Sequence, residues 1–292
     1  MNDSTVAALN AAGLDPIAVN RLIELTLEED LAGGEDVTTV ATVPLDQRAT
    51  LDLVARQAGV AAGIPVAAAV FESVNPALEI KVVAGDGDRV ERGDVLISIT
   101  GPTHDLLRAE RPALNLLGHL GGIATLTAVW VAAIAGTGAI VRDTRKTTPG
   151  MRALEKYAVR CGGGQNHRMS LADAALVKDN HVLAAGGVAE AFAAVRAKYP
   201  AVPVEVEVDS LQQLDEVLAA GADLVLLDNF DVDQLREAVQ RAKGRAKLEA
   251  SGGLSLGVAA AVAATGVDYL AVGALTHSAP VLDIGADLRQ EA

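Results

Sequence analysis

Four apolar stretches that each end in polar or glycine residues recur in the last third of the chain: VEVEVD at 204–209, LVLLDN at 224–229, KLEASGG at 247–253 and YLAVGA at 269–274. Helix-forming segments separate them, at 211–219, 232–243 and 256–264. Apolar strands that alternate with amphipathic helices predict βα units and a parallel sheet. We therefore expect this region to fold as an α/β barrel.

The same alternation begins further upstream. Candidate strands at 139–143 and 175–179 precede the four stretches, and a helix is expected at 189–198. Glycine-containing turns at 220–223 and 265–268 come just before two of the strands. Each glycine there suits the C-cap of the preceding helix. The fold class is therefore α/β, with a sheet of six strands closing into a barrel.

The first third of the chain reads as a separate α+β region. A helix is expected at 16–29 with Asp15 as its N-cap. Three β-rich runs follow, at 49–55, 78–83 and 95–100. The turn-rich segment between the last two resembles the hairpins of biotinyl and lipoyl carrier domains. It has no lysine at its tip, so a structural turn is the favoured interpretation.

A segment without charged side chains, 112–141, is long enough to span a membrane. It contains Asn115, His119 and several glycines, which favour a buried helix instead. We expect that helix to begin at Glu110-Arg111-Pro112, because a proline is well tolerated in the first helical turn. The helix would lie at the boundary between two domains.

Charge is unevenly distributed. The chain carries a formal net charge of -14, yet the window Arg142–Lys178 holds eight basic and three acidic residues. A cationic region in an acidic protein indicates a small, highly anionic ligand rather than a nucleic acid. The lone cysteine, Cys161, cannot form an intrachain disulfide, and the N-terminal segment lacks the pattern of a secretory signal. We therefore expect a cytoplasmic protein without membrane or nucleic-acid partners.

Ionisable or glycine residues follow every candidate strand of the predicted barrel. In strand order they are Arg145 and Lys146; Lys178 and Asp179; Glu207 and Asp209; Asp228 and Asn229; Ser251, Gly252 and Gly253; Gly273 and Ala274. Barrel enzymes place their chemistry at the C-terminal ends of the strands. The sequence therefore predicts one polar site at that end, with a phosphate at the last two glycine turns.

Alternatives remain open at three of these positions. Glu207 and Asp228 fit a Mg²⁺ or ribose site, or salt bridges to the nearby cations. Lys178 fits a fixed cation for a phosphate or carboxylate, although a Schiff-base nucleophile of an aldolase is also compatible with it. Glu205 shares a strand face with Glu207 and is interpreted as a satisfied interior charge.

The histidines and the cysteine carry weaker signals. His167 and Arg168 follow a triple glycine and fit the recognition of carboxylates. His277 fits either a phosphate contact or a helix cap. The spacing of the histidines predicts no zinc site, and Cys161 is interpreted as a packing residue.

Several motifs together resemble the quinolinate phosphoribosyltransferase family. They are EDL…GEDVTT at 29–39, AERPALN at 109–115, DTRKTTPG at 143–150, GGGQNHR at 162–168, LVKDNH at 176–181, EVEVD at 205–209, LDNF at 227–230, SGGL at 251–254 and GVDYLAVGALTHS at 266–278. The resemblance spans nearly the whole chain. It implies an N-terminal α/β sandwich domain at 1–114, with 277–292 packing back on it, and an incomplete, TIM-like α/β barrel at 115–276.

The resemblance also implies a reaction. Quinolinate and 5-phosphoribosyl 1-pyrophosphate would give nicotinate mononucleotide, pyrophosphate and CO₂, with Mg²⁺, in a homodimer whose sites are completed by Arg111 of the neighbouring subunit. The implied catalytic residues are Lys146, Lys178, Glu207 and Asp228, the last two also holding the metal. The implied substrate-binding residues are Arg111, Thr144, Arg145, His167, Arg168, Ser251, Gly252, Gly253, Gly273, Ala274 and His277. A paralogue acting on another carboxylated ring, or a non-catalytic anion-binding protein, is the alternative.

Overall fold

The structure, a computed structural model, describes residues 1–290. In chain order the first elements are α1 (Asp3–Ala11), α2 (Pro16–Leu31), α3 (Val37–Thr42), β1 (Arg48–Ala55), β2 (Gly59–Val60), α4 (Ile64–Val74), β3 (Glu79–Val82), β4 (Arg89–Val90), β5 (Val95–Pro102) and α5 (Thr103–Ala133). There follow β6 (Ile140–Arg142), α6 (Arg152–Cys161), β7 (Ala175–Val177), α7 (Asp179–Ala185), α8 (Val188–Lys198), β8 (Val204–Val208) and α9 (Leu211–Ala219). The last are β9 (Leu224–Asp228), α10 (Val232–Ala242), β10 (Lys247–Ser251), α11 (Leu256–Ala263), β11 (Tyr269–Ala271), α12 (Ala274–His277) and β12 (Ile284–Gln290).

The chain divides into two compact units. Unit 1 comprises 1–128, 148–163 and the segment from Ser278 onward; unit 2 comprises 129–147 and 164–277. The division therefore falls later than the expected break after residue 114. It also assigns the excursion 148–163, which carries α6, to unit 1 rather than to the barrel. Chain order alone does not reveal such an excursion, because its packing partners lie far away in sequence.

Unit 1 contains an antiparallel sheet in the order β12-β1-β5-β3, with helices α1 and α2 packed against α4. β12 pairs antiparallel with β1, and Ala55 lies opposite Ile284. Apolar side chains such as Leu53, Phe71 and Ile99 are fully buried. The predicted turn-rich hairpin is structural: its β4 pairs with β2 in a small two-stranded sheet.

Helix α5 begins earlier in the chain than the sequence predicted. It begins at Thr103 rather than Glu110, so Pro112 lies inside the helix instead of in its first turn. By length and composition α5 could span a membrane, but 56% of its most apolar window is buried. Leu117, Leu120 and Ile123 have no exposed surface, so α5 is a core helix, as the sequence predicted. Burial of this face stabilises the helix enough to accommodate the missing proline N–H.

Unit 2 is built on a parallel sheet in the order β6-β11-β10-β9-β8-β7. Its strands coincide with the six predicted ones to within two residues at either end. In the registers, Glu207 pairs with Leu226, Leu226 with Glu249, and Glu249 with Tyr269. Paired residues of a parallel sheet share a face, and successive residues alternate between faces. One face therefore carries a row of polar side chains that includes Glu205, Glu207, Asp228 and Glu249.

Candidate active site

A cavity of about 440 Å³ lies in unit 2 at the C-terminal ends of the parallel strands. Ten of the residues singled out in the sequence line it: Thr144, Arg145, Lys146, His167, Arg168, Lys178, Glu207, Asp228, Ser251 and Gly252. Parallel strands end at one edge of a sheet, so residues far apart in sequence converge there. Glu249 also lines it, so the cavity combines four cations with three carboxylates and a glycine turn.

The other predicted site residues do not line this cavity. Gly273 is nevertheless adjacent, because a Cβ added there would lie 3.0 Å from Lys146 Cδ and 3.3 Å from His277 Nε2. Gly253 follows the lining residue Gly252 in the chain, and Ala274 follows Gly273. Arg111 belongs to unit 1, on α5, and its side chain is 62% exposed.

Half of the basic window does not contribute to the cavity lining. Arg152, Lys156 and Arg160 lie on α6 of unit 1, and Lys156 is fully buried there. Arg160 donates a hydrogen bond to the carbonyl of Ala12 at 2.6 Å. A larger cavity, of about 690 Å³, lies in unit 1 and is lined mostly by small and apolar residues. We assign the chemistry to the smaller cavity because cations and carboxylates converge there.

Asp143 organises the triple-glycine loop. Its buried carboxylate accepts hydrogen bonds from the side-chain amide of Asn166 at 2.6 Å and from the backbone N–H of His167 at 2.8 Å. Gln165 extends the sheet, since its N–H donates to the carbonyl of Val141. Asp143 therefore ties the start of the DTRKT motif to Asn166 and His167 of the GGGQNHR motif. Asp143 was not among the predicted site residues, although its place at the start of a motif was a usable signal.

Arg145 and Arg168 form a cationic pair. The Nε of Arg145 is buried and has no hydrogen-bond partner among residues 1–290. Arg168 donates to the carbonyl of Ala174 at 2.9 Å. Burial, and secondly the charge of Arg145, lower the pKa of Arg168. A buried donor without a partner and two adjacent like charges are both costly, and an anion in the cavity would relieve both costs.

Lys178 and Glu207 form an ion pair, with Nζ and Oε2 3.3 Å apart. Lys178 is also the N-cap residue of α7, and its backbone N–H donates to Nδ1 of His181 at 3.0 Å. Its Nζ is held by the Glu207 carboxylate, whereas an imine-forming lysine needs an amine that is free to attack a carbonyl carbon. This geometry suits the fixed-cation interpretation of Lys178 better than the Schiff-base one.

The loops that follow β9 and β10 interlock. Asn229, at a φ of 58°, donates from its side chain to Asp228 at 2.8 Å and from its backbone N–H to the carbonyl of Ser251 at 2.9 Å. Gly252 has a φ of 85°, and a Cβ there would lie 2.6 Å from Cγ of Asn229. A glycine is thus required at 252 both by its backbone conformation and by this close approach.

A group of polar side chains was largely missed in the sequence; we call His167, Glu205, Glu249 and Arg142 the buried cluster. Two of them, His167 and Glu249, line the cavity. Nε2 of His167 is 2.5 Å from Oε2 of Glu205 and 3.8 Å from Oε1 of Glu249. Arg142 contacts the other oxygen of Glu249. Burial, and secondly the neighbouring Glu205, raise the pKa of Glu249 to about 8. Glu205 is only partly the satisfied interior charge that the sequence predicted, because its Oε2 meets His167 while its buried Oε1 has no hydrogen-bond partner among residues 1–290.

Comparisons with known proteins agree with this geometry. The family model of the quinolinate phosphoribosyl transferase N-terminal domain matches residues 36–121, and that of the C-terminal domain matches 123–287. The chain is 54% identical over 276 residues to the carboxylating nicotinate-nucleotide pyrophosphorylase of Mycobacterium leprae, covering 93% of this chain and 97% of that one. It is 39% identical to the probable enzyme of that name from Synechocystis, covering 93% of each chain.

Solved structures give the same result. The chain is similar to NadC from Streptococcus pyogenes, with a TM-score of 0.91 and 40% identity over 96% of this chain and 99% of that one. The nicotinate-nucleotide pyrophosphorylase of Francisella tularensis also matches, with a TM-score of 0.91 and 36% identity over 94% and 98% of the two chains. Both family models, the sequence relatives and the structural neighbours therefore place this chain in the quinolinate phosphoribosyltransferase family.

Proposed function

We propose that this chain is a decarboxylating quinolinate phosphoribosyltransferase of NAD biosynthesis. It would join quinolinate to 5-phosphoribosyl 1-pyrophosphate and release nicotinate mononucleotide, pyrophosphate and CO₂. The carrying observation is the convergence of Arg145, Lys146, Arg168 and Lys178 with Glu207 and Asp228 in one cavity. Two polyanionic substrates need several fixed cations, and a developing ribosyl cation needs nearby carboxylates.

The quinolinate dianion would bind at the Arg145–Arg168 pair. The unpartnered Nε of Arg145 supports this assignment, because a carboxylate oxygen there would accept its hydrogen bond. Lys178 would supply a further cation. His167 lines the cavity and would contact the ring with its carbon atoms, since its two ring nitrogens already meet Glu205 and the backbone N–H of Arg168.

The phosphoribosyl donor would lie at the C-terminal ends of β10 and β11. The turns at Ser251–Gly253 and Gly273–Ala274 would hold the 5-phosphate with backbone N–H groups, and Lys146 would meet the pyrophosphate. His277, adjacent to Gly273, would take part on that side. Glu207 and Asp228 would face the ribose hydroxyls.

The residues present also fit a magnesium ion. Glu207 and Asp228 line the same cavity and offer the hard carboxylate oxygens that Mg²⁺ prefers, with phosphate oxygens of the donor completing its coordination. When bound, Mg²⁺ would neutralise charge on the leaving pyrophosphate. Glu207 would keep one oxygen on Lys178, so the ion pair would fix the orientation of that carboxylate.

The chemistry needs no nucleophile from the protein. The pyridine nitrogen attacks C1 of the ribose as the bond to pyrophosphate breaks, and Lys146 stabilises the departing charge. The ring nitrogen then carries a positive charge. The bond from C2 to its carboxylate breaks, CO₂ leaves, and the electron pair that remains on C2 takes up a proton. Catalysis on this scheme is positioning and electrostatic stabilisation.

The active unit would be a homodimer in which Arg111 completes the partner's site. The exposure of Arg111 supports this, as do the exposed apolar side chains Ile17, Val37 and Leu45 of unit 1, which are 66%, 70% and 86% exposed. Mixing Arg111→Ala chains with Lys146→Ala chains should restore activity through hybrid dimers. Recovery no greater than that of either variant alone would contradict the shared site.

The decisive experiment is incubation of the protein with quinolinate, the phosphoribosyl donor and Mg²⁺. We expect nicotinate mononucleotide, pyrophosphate and CO₂ in equal amounts, and no turnover in excess chelator. A paralogue would instead turn over a different carboxylated ring, and an anion-binding protein would bind the substrates without releasing products. A borohydride-trapped adduct on Lys178 would favour the aldolase alternative. We propose a cytoplasmic location, because a chain with a single cysteine forms no intrachain disulfide and suits a reducing compartment. The activity should then be found in a cytoplasmic extract.

A further inference from the structure

The backbone of Lys146 is held on both sides by threonine hydroxyls. Its N–H donates to Oγ1 of Thr144 at 3.0 Å, and its carbonyl accepts a hydrogen bond from Oγ1 of Thr276 at 2.7 Å. Thr144 precedes Lys146 by two residues, whereas Thr276 lies 130 residues later in the chain, on α12. The Thr276 hydroxyl is therefore a tertiary contact that fixes the backbone of this lysine.

Thr276 is buried, with 2% of its surface exposed, and it does not line the cavity. Its backbone N–H donates to the carbonyl of Gly273 at 3.2 Å, and its hydroxyl oxygen lies 3.3 Å from the same carbonyl. The distance from the hydroxyl to the carbonyl of Lys146 is shorter, so the single hydroxyl proton is directed there. Thr276 can therefore influence a ligand in the cavity only through another residue, and that residue is Lys146.

The side chain of Lys146 lies on the turn that follows β11. A Cβ added to Gly273 would lie 3.0 Å from Cδ of Lys146, so the lysine stem passes directly against this glycine. Gly273 lies outside the left-handed region that favours glycine, so room for the lysine stem is one reason for a glycine here. The short segment from Gly273 to Thr276 thus holds Lys146 at its stem and at its carbonyl.

We propose that Thr276 is a positioning residue for Lys146. Its hydroxyl ties the lysine that would meet the pyrophosphate to the turn that would hold the 5-phosphate, so the groups that bind the two ends of the phosphoribosyl donor keep a fixed separation. Without this hydrogen bond, the loop that carries Lys146 samples other conformations, and only a fraction of the molecules present the ammonium group to the ligand. The inference rests on the proposed function, because it takes the donor as the ligand at both places.

The effect of losing this hydroxyl should be selective. One hydrogen bond changes an equilibrium about three- to tenfold, and a ligand that must reorder the loop loses affinity by the same factor. The turnover number should fall by about tenfold or more, because Lys146 stabilises the departing charge only at close range. Quinolinate should bind almost unchanged, because Asp143, two residues before Arg145, stays tied to Asn166 and His167.

The test measures the binding of inorganic pyrophosphate with Mg²⁺, and separately of quinolinate, by calorimetry. Thr276→Val keeps nearly the shape of the side chain and removes the donor, whereas Thr276→Ser keeps the hydroxyl. Thr276→Ala removes the donor without adding a methyl group and takes the place of the valine variant if that chain does not fold. Thr265→Val is the matched control: Thr265 is a buried threonine of unit 2 whose hydroxyl donates to the carbonyl of Val262 at 2.6 Å, and it does not line the cavity.

Thr276→Val should bind pyrophosphate about three- to tenfold more weakly than the wild-type protein and keep its affinity for quinolinate. Thr276→Ser and Thr265→Val should bind both ligands as the wild-type protein does. Unchanged pyrophosphate affinity in Thr276→Val, an equal loss for both ligands, or the same loss in Thr276→Ser or Thr265→Val would overturn the inference.

The proposed function can fail separately. If the wild-type protein does not turn over quinolinate and the donor, while pyrophosphate binding follows the expected pattern across the variants, the proposed function is overturned and the role of Thr276 stands. Absence of pyrophosphate binding to the wild-type protein would overturn the inference, because Lys146 would then have no anion to meet.

Discussion

Substituting alanine for Gly252, with Gly253 as the matched control, tests the geometry of the proposed phosphate turn. Both residues have a positive φ, 85° at Gly252 and 58° at Gly253. A left-handed conformation costs a non-glycine residue about 1 kcal/mol, and both variants share that cost. They differ in space: a Cβ at 253 meets nothing within 4 Å, whereas one at 252 would lie 2.6 Å from Cγ and 2.9 Å from the backbone N of Asn229.

Asn229 cannot easily move away. It is held at a φ of 58° and donates hydrogen bonds to Asp228 and to the carbonyl of Ser251. Forcing an extra carbon into a packed site costs about 1–3 kcal/mol. We therefore expect Gly253→Ala to lower the free energy of unfolding by about 1 kcal/mol and Gly252→Ala by about 2–4 kcal/mol.

Urea unfolding followed by circular dichroism measures the stability difference, and binding of the phosphoribosyl donor measures its effect on the site. Because the clash displaces Asn229 and with it Asp228, Gly252→Ala should also weaken donor binding more than tenfold. Equal destabilisation by the two substitutions would refute the interlocked-loop geometry. A wild-type affinity of Gly252→Ala for the donor would refute the placement of the phosphate.

Three further outcomes are expected. Arg145→Ala should leave the fold intact and weaken quinolinate binding by about 2 kcal/mol, measured by calorimetry; unchanged affinity would remove Arg145 from the site. Asp52 accepts hydrogen bonds from Arg289, which, as the largest cause, lower its pKa below the ordinary 3.8. The contribution of Asp52 to stability is therefore present above about pH 3.8 and is lost as the pH falls through its lower pKa in the folded state. Asp52→Asn should be less stable than the wild-type protein at pH 7 and lose less stability in acid. Parallel curves of stability against pH for the two proteins would contradict the pairing. Gly122→Ala should destabilise unit 1 by about 2 kcal/mol or more in urea, because its Cβ would overlap the carbonyl group of Pro280, 3.0 Å from the carbon; wild-type stability would show that this approach is not tight.

The strands of unit 2 could be predicted because their signal is local. Each is an apolar run bounded by a turn, and the predicted run 204–208 is the observed β8. Strand-end residues such as Glu207, Asp228 and Ser251 could be placed in one site without coordinates, since parallel strands end at a common edge. The start of α5 and the existence of α6 could not be predicted in this way. Pro112 suggested a helix start, but burial of the apolar face between Leu106 and Ile123 outweighs the local preference.

The cluster of basic residues in the sequence predicted only part of the site. Counting cations along Arg142–Lys178 found Arg145, Lys146, Arg168 and Lys178, because they follow two strands that are consecutive in the chain, β6 and β7, or lie between them. It also included three residues of α6, which the fold assigns to unit 1. A sequence window sums charges by position along the chain, whereas a ligand meets only those that the fold brings to one cavity.

The sequence by itself determined the α/β class, the strand-end site and the family, because apolar periodicity and motif spacing are properties of short segments. Only the tertiary structure revealed the buried cluster. Arg142, Glu205 and Glu249 lie on three strands separated by more than 40 residues at each step, and nothing local distinguishes Glu249 from an ordinary surface glutamate. Its raised pKa depends on the removal of water and on a second carboxyl held nearby, and both conditions arise only when the sheet has formed.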